Sequence, residues 1–67
     1  MNPKPTVGRI VHYHNRNIIE AALIVSVLND ETVNLVVWNA GGSNRVETSI
    51  QFGPKDEHHR WSWPERV

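Results

Sequence analysis

From Arg45 to Phe52 apolar and polar positions alternate one for one: Val46, Thr48, Ile50 and Phe52 against Arg45, Glu47, Ser49 and Gln51. That period of two is the mark of a strand with one face on a core and one in water, so the first set is expected inward and the second outward. Gly53-Pro54 ends the run, because proline cannot continue a ladder. Thr32–Trp38 reads the same way, with Val33, Leu35 and Val37 on one face and Asn34, Val36 and Trp38 on the other. The turn between these runs, Asn39-Ala40-Gly41-Gly42-Ser43-Asn44, is rich in residues that accept positive φ.

Upstream, Gly8 opens a candidate strand through His14, with Ile10, His12 and His14 on one side and Arg9, Val11 and Tyr13 on the other. Asn15-Arg16-Asn17 is a turn. Ile18–Leu28 is the most apolar stretch. Its β-branched Ile24-Val25-Ser26-Val27 argues against helix and for a strand from about Ala21 to Leu28. Asn29-Asp30-Glu31 is a second tight turn. Residues 55–60 are charged and His-rich and read as an exposed loop, after which Trp61-Ser62-Trp63 forms a short fifth strand with both indoles on one side.

Four strands, a short fifth and tight turns predict an all-β chain: a small five-stranded antiparallel barrel, SH3-like, with an OB-like barrel as the alternative. Residues 1–6, with prolines at 3 and 5, are expected as an extended N-terminal arm, and residues 7–67 as a single small β-barrel domain.

Size sharpens the picture. A chain of 67 residues buries only about 60% of its unfolded surface. It has no cysteine, so disulfides and thiolate metal sites are excluded, and self-association is the expected source of extra stability. Seven Lys and Arg balance seven Asp and Glu. A duplex-DNA binder needs a basic surplus, and none is present; single-stranded nucleic acid suffers from the same neutrality. No segment approaches the ~18 consecutive apolar residues of a membrane helix, and the start does not read as a secretory signal. No membrane partner is expected, and the reading is a soluble cytoplasmic protein.

Candidate chemistry is sparse. His12 and His14 share a strand face and His58 and His59 are adjacent, but no third metal ligand stands at a diagnostic spacing, so neither metal nor cofactor is expected. Ser26, Ser43, Ser49 and Ser62 lack an activating context, and Ala40-Gly41-Gly42-Ser43 lacks the lysine of a phosphate loop. No enzyme activity is expected. Planar and cationic groups remain: Arg9, Tyr13, Trp38, Arg60 and Trp61, with His12 and Asn39 as hydrogen-bonding support. Rings and guanidinium forks of this kind stack on bases and grip phosphate. They are the expected ligand contacts, set between subunits of a homo-oligomer. The competing use of the same rings is core filling, with Trp63 the more core-like indole and Trp38 and Trp61 open to either role.

The two ends carry a resemblance. Thr6-Val7-Gly8-Arg9-Ile10-Val11-His12-Tyr13, the central Ala22-Leu23-Ile24-Val25 and the final Trp61-Ser62-Trp63-Pro64-Glu65 are similar to a group of very short bacteriophage and prophage proteins of unknown function. Ser62 stands where histidine is commoner in that group, and the loop after Tyr13 is shorter than in many members. The resemblance implies a phage accessory protein in the cytoplasm of an infected bacterium. Small phage proteins of this kind include oligomeric sponges that sequester the nucleotide signals of bacterial immunity, such as cyclic oligonucleotides. The alternative is an SH3-like interaction or structural module for a host or virion protein.

Overall fold

In the computed structural model, which describes residues 4–54 and 56–64, five strands follow one another: β1 (Ile10–Asn15), β2 (Ile18–Val27), β3 (Thr32–Trp38), β4 (Asn44–Phe52) and β5 (Arg60–Ser62). They close into a barrel in sequence order, β1-β2-β3-β4-β5. This consecutive order is a meander rather than a Greek key, which separates it from the OB-like arrangement. Four pairings are antiparallel; the short β4–β5 seam, Gln51↔Arg60 and Phe52↔Trp61, is parallel.

Local chemistry explains the boundaries. Asn15 pairs with Ile18, so the first hairpin is a two-residue turn, Arg16-Asn17. The second strand therefore starts at Ile18, where the apolar stretch begins, three residues before the expected start at Ala21. Arg16 takes the turn with φ 57°, a conformation that costs most side chains energy. At the β3–β4 turn Asn39 Oδ1 accepts from the Gly41 and Ser43 amides at 2.9 and 3.1 Å. Gly42 supplies the φ of 91° that closes it. Of the expected arm, residues 1–3 lie outside the described residues. Pro5 is buried, and Gly8 and Arg9 are tied to Ile24 by backbone bonds of 2.8 and 2.9 Å.

The core is Val11, Tyr13, Ala22, Ile24, Val33, Leu35, Val37, Ile50 and Trp61, with Phe52 and Trp63 packed against it. Of the two faces of the third strand, the one carrying Val33, Leu35 and Val37 is the one buried. The two C-terminal indoles meet edge to face, centroids 5.4 Å apart. Trp61, open to either role in the sequence, is fully buried with Nε1–H donating to the Glu31 carbonyl at 2.9 Å, while Trp63, the more core-like of the two, is half-buried and packed against the core. The expected strand Trp61–Trp63 is shifted by one residue, because the pairing with β1 runs from Arg60 to Ser62.

β4 departs from its alternation. The ladder to β3 jumps from Leu35↔Glu47 to Val33↔Ile50, so β4 holds one residue more than its partner. The extra residue makes a bulge, in which Ser49 has φ 56° and its amide donates to Asn34 Oδ1 at 2.9 Å. Ile50 and Phe52 face inward as expected. Before the bulge the phase is inverted: Val46 and Thr48 are exposed, and Arg45 and Glu47 turn toward the barrel mouth. The outward set forms a row across four strands, Ile10↔Leu23↔Val36↔Val46. Its two ends are the most open, Ile10 at 54% and Val46 at 65%.

Candidate functional site

The closing strand is short. β5 reaches only Gln51 and Phe52 of β4, and only His12, Tyr13 and His14 of β1. Among the described residues nothing pairs with the outer side of β4 from Asn44 to Thr48. A cleft of about 560 Å³ opens at this unzipped seam. Tyr13 and Asn15 of β1 form one wall, and Arg45 and Glu47 of β4 the other. The turn Arg16-Asn17-Ile18 and the paired histidines His58 and His59 complete the rim.

The floor is an ion network. Arg45 donates from Nη2 to Glu20 Oε1 at 2.7 Å and from Nε to Glu47 Oε2 at 2.9 Å. Its guanidinium lies 5.6 Å from the Tyr13 ring centroid. The Glu20 hydrogen bond, then that of Glu47, pushes the Arg45 pKa further above its already high ordinary value. Arg45 is thus a bridge holding β2 and β4 together, with its charge already matched. Tyr13 is pushed up from its ordinary value by burial first, then by the Glu47 charge, with Arg45 opposing. Its phenol stays neutral and is hydrogen-bonded to His59 Nδ1.

The histidine loop is fastened to the hairpin. His58 Nδ1 accepts the Arg16 amide at 2.9 Å, and the His59 amide donates to the His14 carbonyl at 3.0 Å. The two imidazoles stack at a tilt, centroids 3.8 Å apart. His59 carries φ 60°, so two left-handed residues, Arg16 and His59, sit on one rim. Strained backbone of this kind persists where the surroundings hold it. The Arg16 side chain has no carboxylate partner among the described residues.

A second polar cluster has a structural role. His14 is fully buried, its Nδ1–H donating to the Pro54 carbonyl at 3.0 Å and its Nε2 taking the Ser62 hydroxyl at 2.7 Å. The order hydroxyl, imidazole, carbonyl imitates a nucleophile with its base. The seam cleft, however, is lined by neither Ser62 nor His14. The cluster pins β1, β5 and the 53–54 corner together.

Of the seven ligand contacts read from the sequence, only Tyr13 lines the cleft. Arg9 stacks on Trp63 at 5.0 Å. His12 is half-buried on the outer face with Nδ1 unpartnered among the described residues. Trp38 is half-buried there too, paired with Ala21 and Asn44, and Asn39 caps the adjoining turn. Arg60 packs its stem on Gly53 and bonds Glu57 at 3.3 Å. Trp61 is core. The residues that do converge, Asn15, Arg16, Asn17, Arg45, Glu47, His58 and His59, were passed over as turn, outward face and loop. The one usable signal was adjacency, because two histidines side by side on a loop stand close to a strand end that a barrel brings near.

Fold and site define a small closed β-barrel with a cleft, rimmed by polar and charged side chains, at an incompletely zipped seam. Comparison with protein-family models, curated proteins and solved structures returned no match.

Proposed function

We propose that this chain is a non-enzymatic, self-associating binding protein that holds a small anionic nucleotide in the seam cleft. The observation that carries the reading is Arg16. Its guanidinium has no carboxylate partner among the described residues and stands on the rim of a cleft whose neighbouring groups are flat imidazoles and side-chain amides. A guanidinium fork grips phosphate and an imidazole face accepts a base. Arg45 is committed to two carboxylates and serves as scaffold. Together with the end motifs, this supports a phage accessory protein that sequesters a nucleotide immune signal, a cyclic oligonucleotide or a relative of one, in the infected bacterial cytoplasm and so blocks host defence.

Thermal shift against cyclic di- and trinucleotides and ADP-ribose derivatives tests the reading. A ligand at one hundred times its Kd adds about 2.7 kcal/mol of stability, and Arg16→Ala should abolish the shift. Flat melting curves across the panel, from folded protein, would sink it.

The outer row Ile10-Leu23-Val36-Val46 supports a second reading, a protein-interaction module that engages a host or virion protein. A single stoichiometric partner recovered from host lysate, with no bound nucleotide, would favour it.

A further inference from the structure

β4 carries an open edge whose sequence is complementary to itself, and we infer that a second copy of this chain pairs there, β4 against β4, about a two-fold axis at Val46. The alternation of an antiparallel ladder decides which backbone groups are free. The Asn39 amide donates to the Ser43 carbonyl, so the residues directed at β3 are the odd ones, Arg45 and Glu47. The N–H and C=O of Asn44, Val46 and Thr48 point to the open side. The bulge at Ser49 ends this stretch and bends the chain toward β5.

A two-fold at Val46 sets Val46 against itself and Arg45 against Glu47 of the other copy, twice. Arg45 stays with Glu20 and Glu47 of its own copy, so this register only sets each guanidinium beside a further carboxylate and avoids like charges across the pair, whereas a one-residue slip would lose that match. The outward row then runs unbroken through the junction, from Ile10 to Val46 and on through Val46 to Ile10 of the second copy. An edge protected against pairing would show an outward lysine or a proline at its centre; this one shows Val46, 65% exposed. The interface is isologous and closes at two subunits. Because this open edge borders the seam cleft, pairing places the neighbouring copy beside the Arg45 and Glu47 wall and changes what the cleft can hold. That last consequence rests on the binding reading above; the pairing does not.

Sedimentation velocity without nucleotide tests the pairing alone. The wild-type chain should sediment as a dimer that dissociates on dilution. Val46→Lys places like charges across the axis, and Val46→Pro removes an amide aimed at the open side while sparing the β3 ladder. Both variants should keep the far-UV spectrum of the wild type, unfold cooperatively at a midpoint that does not change with protein concentration, and sediment as monomers. Amides 44, 46 and 48 should lose hydrogen-exchange protection as the wild type is diluted. A monomeric wild type at every concentration overturns the proposal, as does a folded Val46→Lys that stays dimeric. A monomer that captures a foreign extended peptide on this edge also overturns it.

Discussion

Arg45 and Glu20 are joined at 2.7 Å across the mouth of the barrel, and Glu20 is the buried partner, its side chain 6% exposed against 36% for Arg45. A carboxylate in that position depends on its guanidinium. Breaking such a pair from one side costs about 3–5 kcal/mol when both partners are buried. With Arg45 a third exposed, Arg45→Met should cost about 2–3 kcal/mol in urea denaturation. Adding Glu20→Gln should return part of that loss, because the uncompensated charge is gone. Equal losses for the single and double variants would show that the bridge contributes nothing.

Tyr13 gives a pH-dependent prediction. Its pKa is raised above the ordinary tyrosine value of 10.0, by burial before all else. The fold therefore favours the neutral phenol. This contribution is fully present below the ionisation of the unfolded chain near pH 10 and is lost as pH rises through the folded value. Tyr13 is the single tyrosine of the chain, so the tyrosinate absorbance band reports it alone. The native midpoint should lie above that of the urea-unfolded protein. Tyr13→Phe should cost about 1 kcal/mol and speed exchange of the His59 amide.

Arg16 separates stability from binding. Its φ of 57° suits asparagine better than arginine. Arg16→Asn should stabilise the barrel by about 0.5–1 kcal/mol while removing the guanidinium on which nucleotide binding is proposed to depend. A more stable variant that still shows the full ligand-induced shift would move the phosphate contact elsewhere.

Gly53 is required for space. A Cβ there would lie 2.7 Å from Cγ and Cδ of Arg60. Gly53→Ala should cost about 1–3 kcal/mol by overpacking the parallel seam. Arg60→Ala in the same chain should relieve most of that cost, since it deletes the two closest atoms. A double-mutant cycle measures the coupling, and independent, additive losses would contradict the contact.

The strands were legible because their alternation is unbroken where the backbone is regular. Val33, Leu35 and Val37 are core for that reason. In β4 the same logic ran backward through the bulge at Ser49, and the phase flipped for Val46 and Thr48. Nothing local announces that bulge: the group that satisfies the Ser49 amide is Asn34, on another strand. The site was hidden for the same reason. Arg45 and Glu47 were assigned to water by the inverted phase, and the histidine loop meets the hairpin only once the barrel closes. The large rings drew attention first, yet a barrel this small uses Trp61 and Tyr13 to fill itself.

The closing strand also sets the order in which the molecule can assemble. The first four strands form through short hairpins, whereas His14 must find Ser62 across 48 positions of sequence. Contacts of such separation form late, because the chain between them has to be ordered first. The cleft is therefore the last feature to take shape as the polypeptide folds, and the ligand proposed for it would act as a rivet, holding shut the joint that the three residues of β5 fasten so lightly.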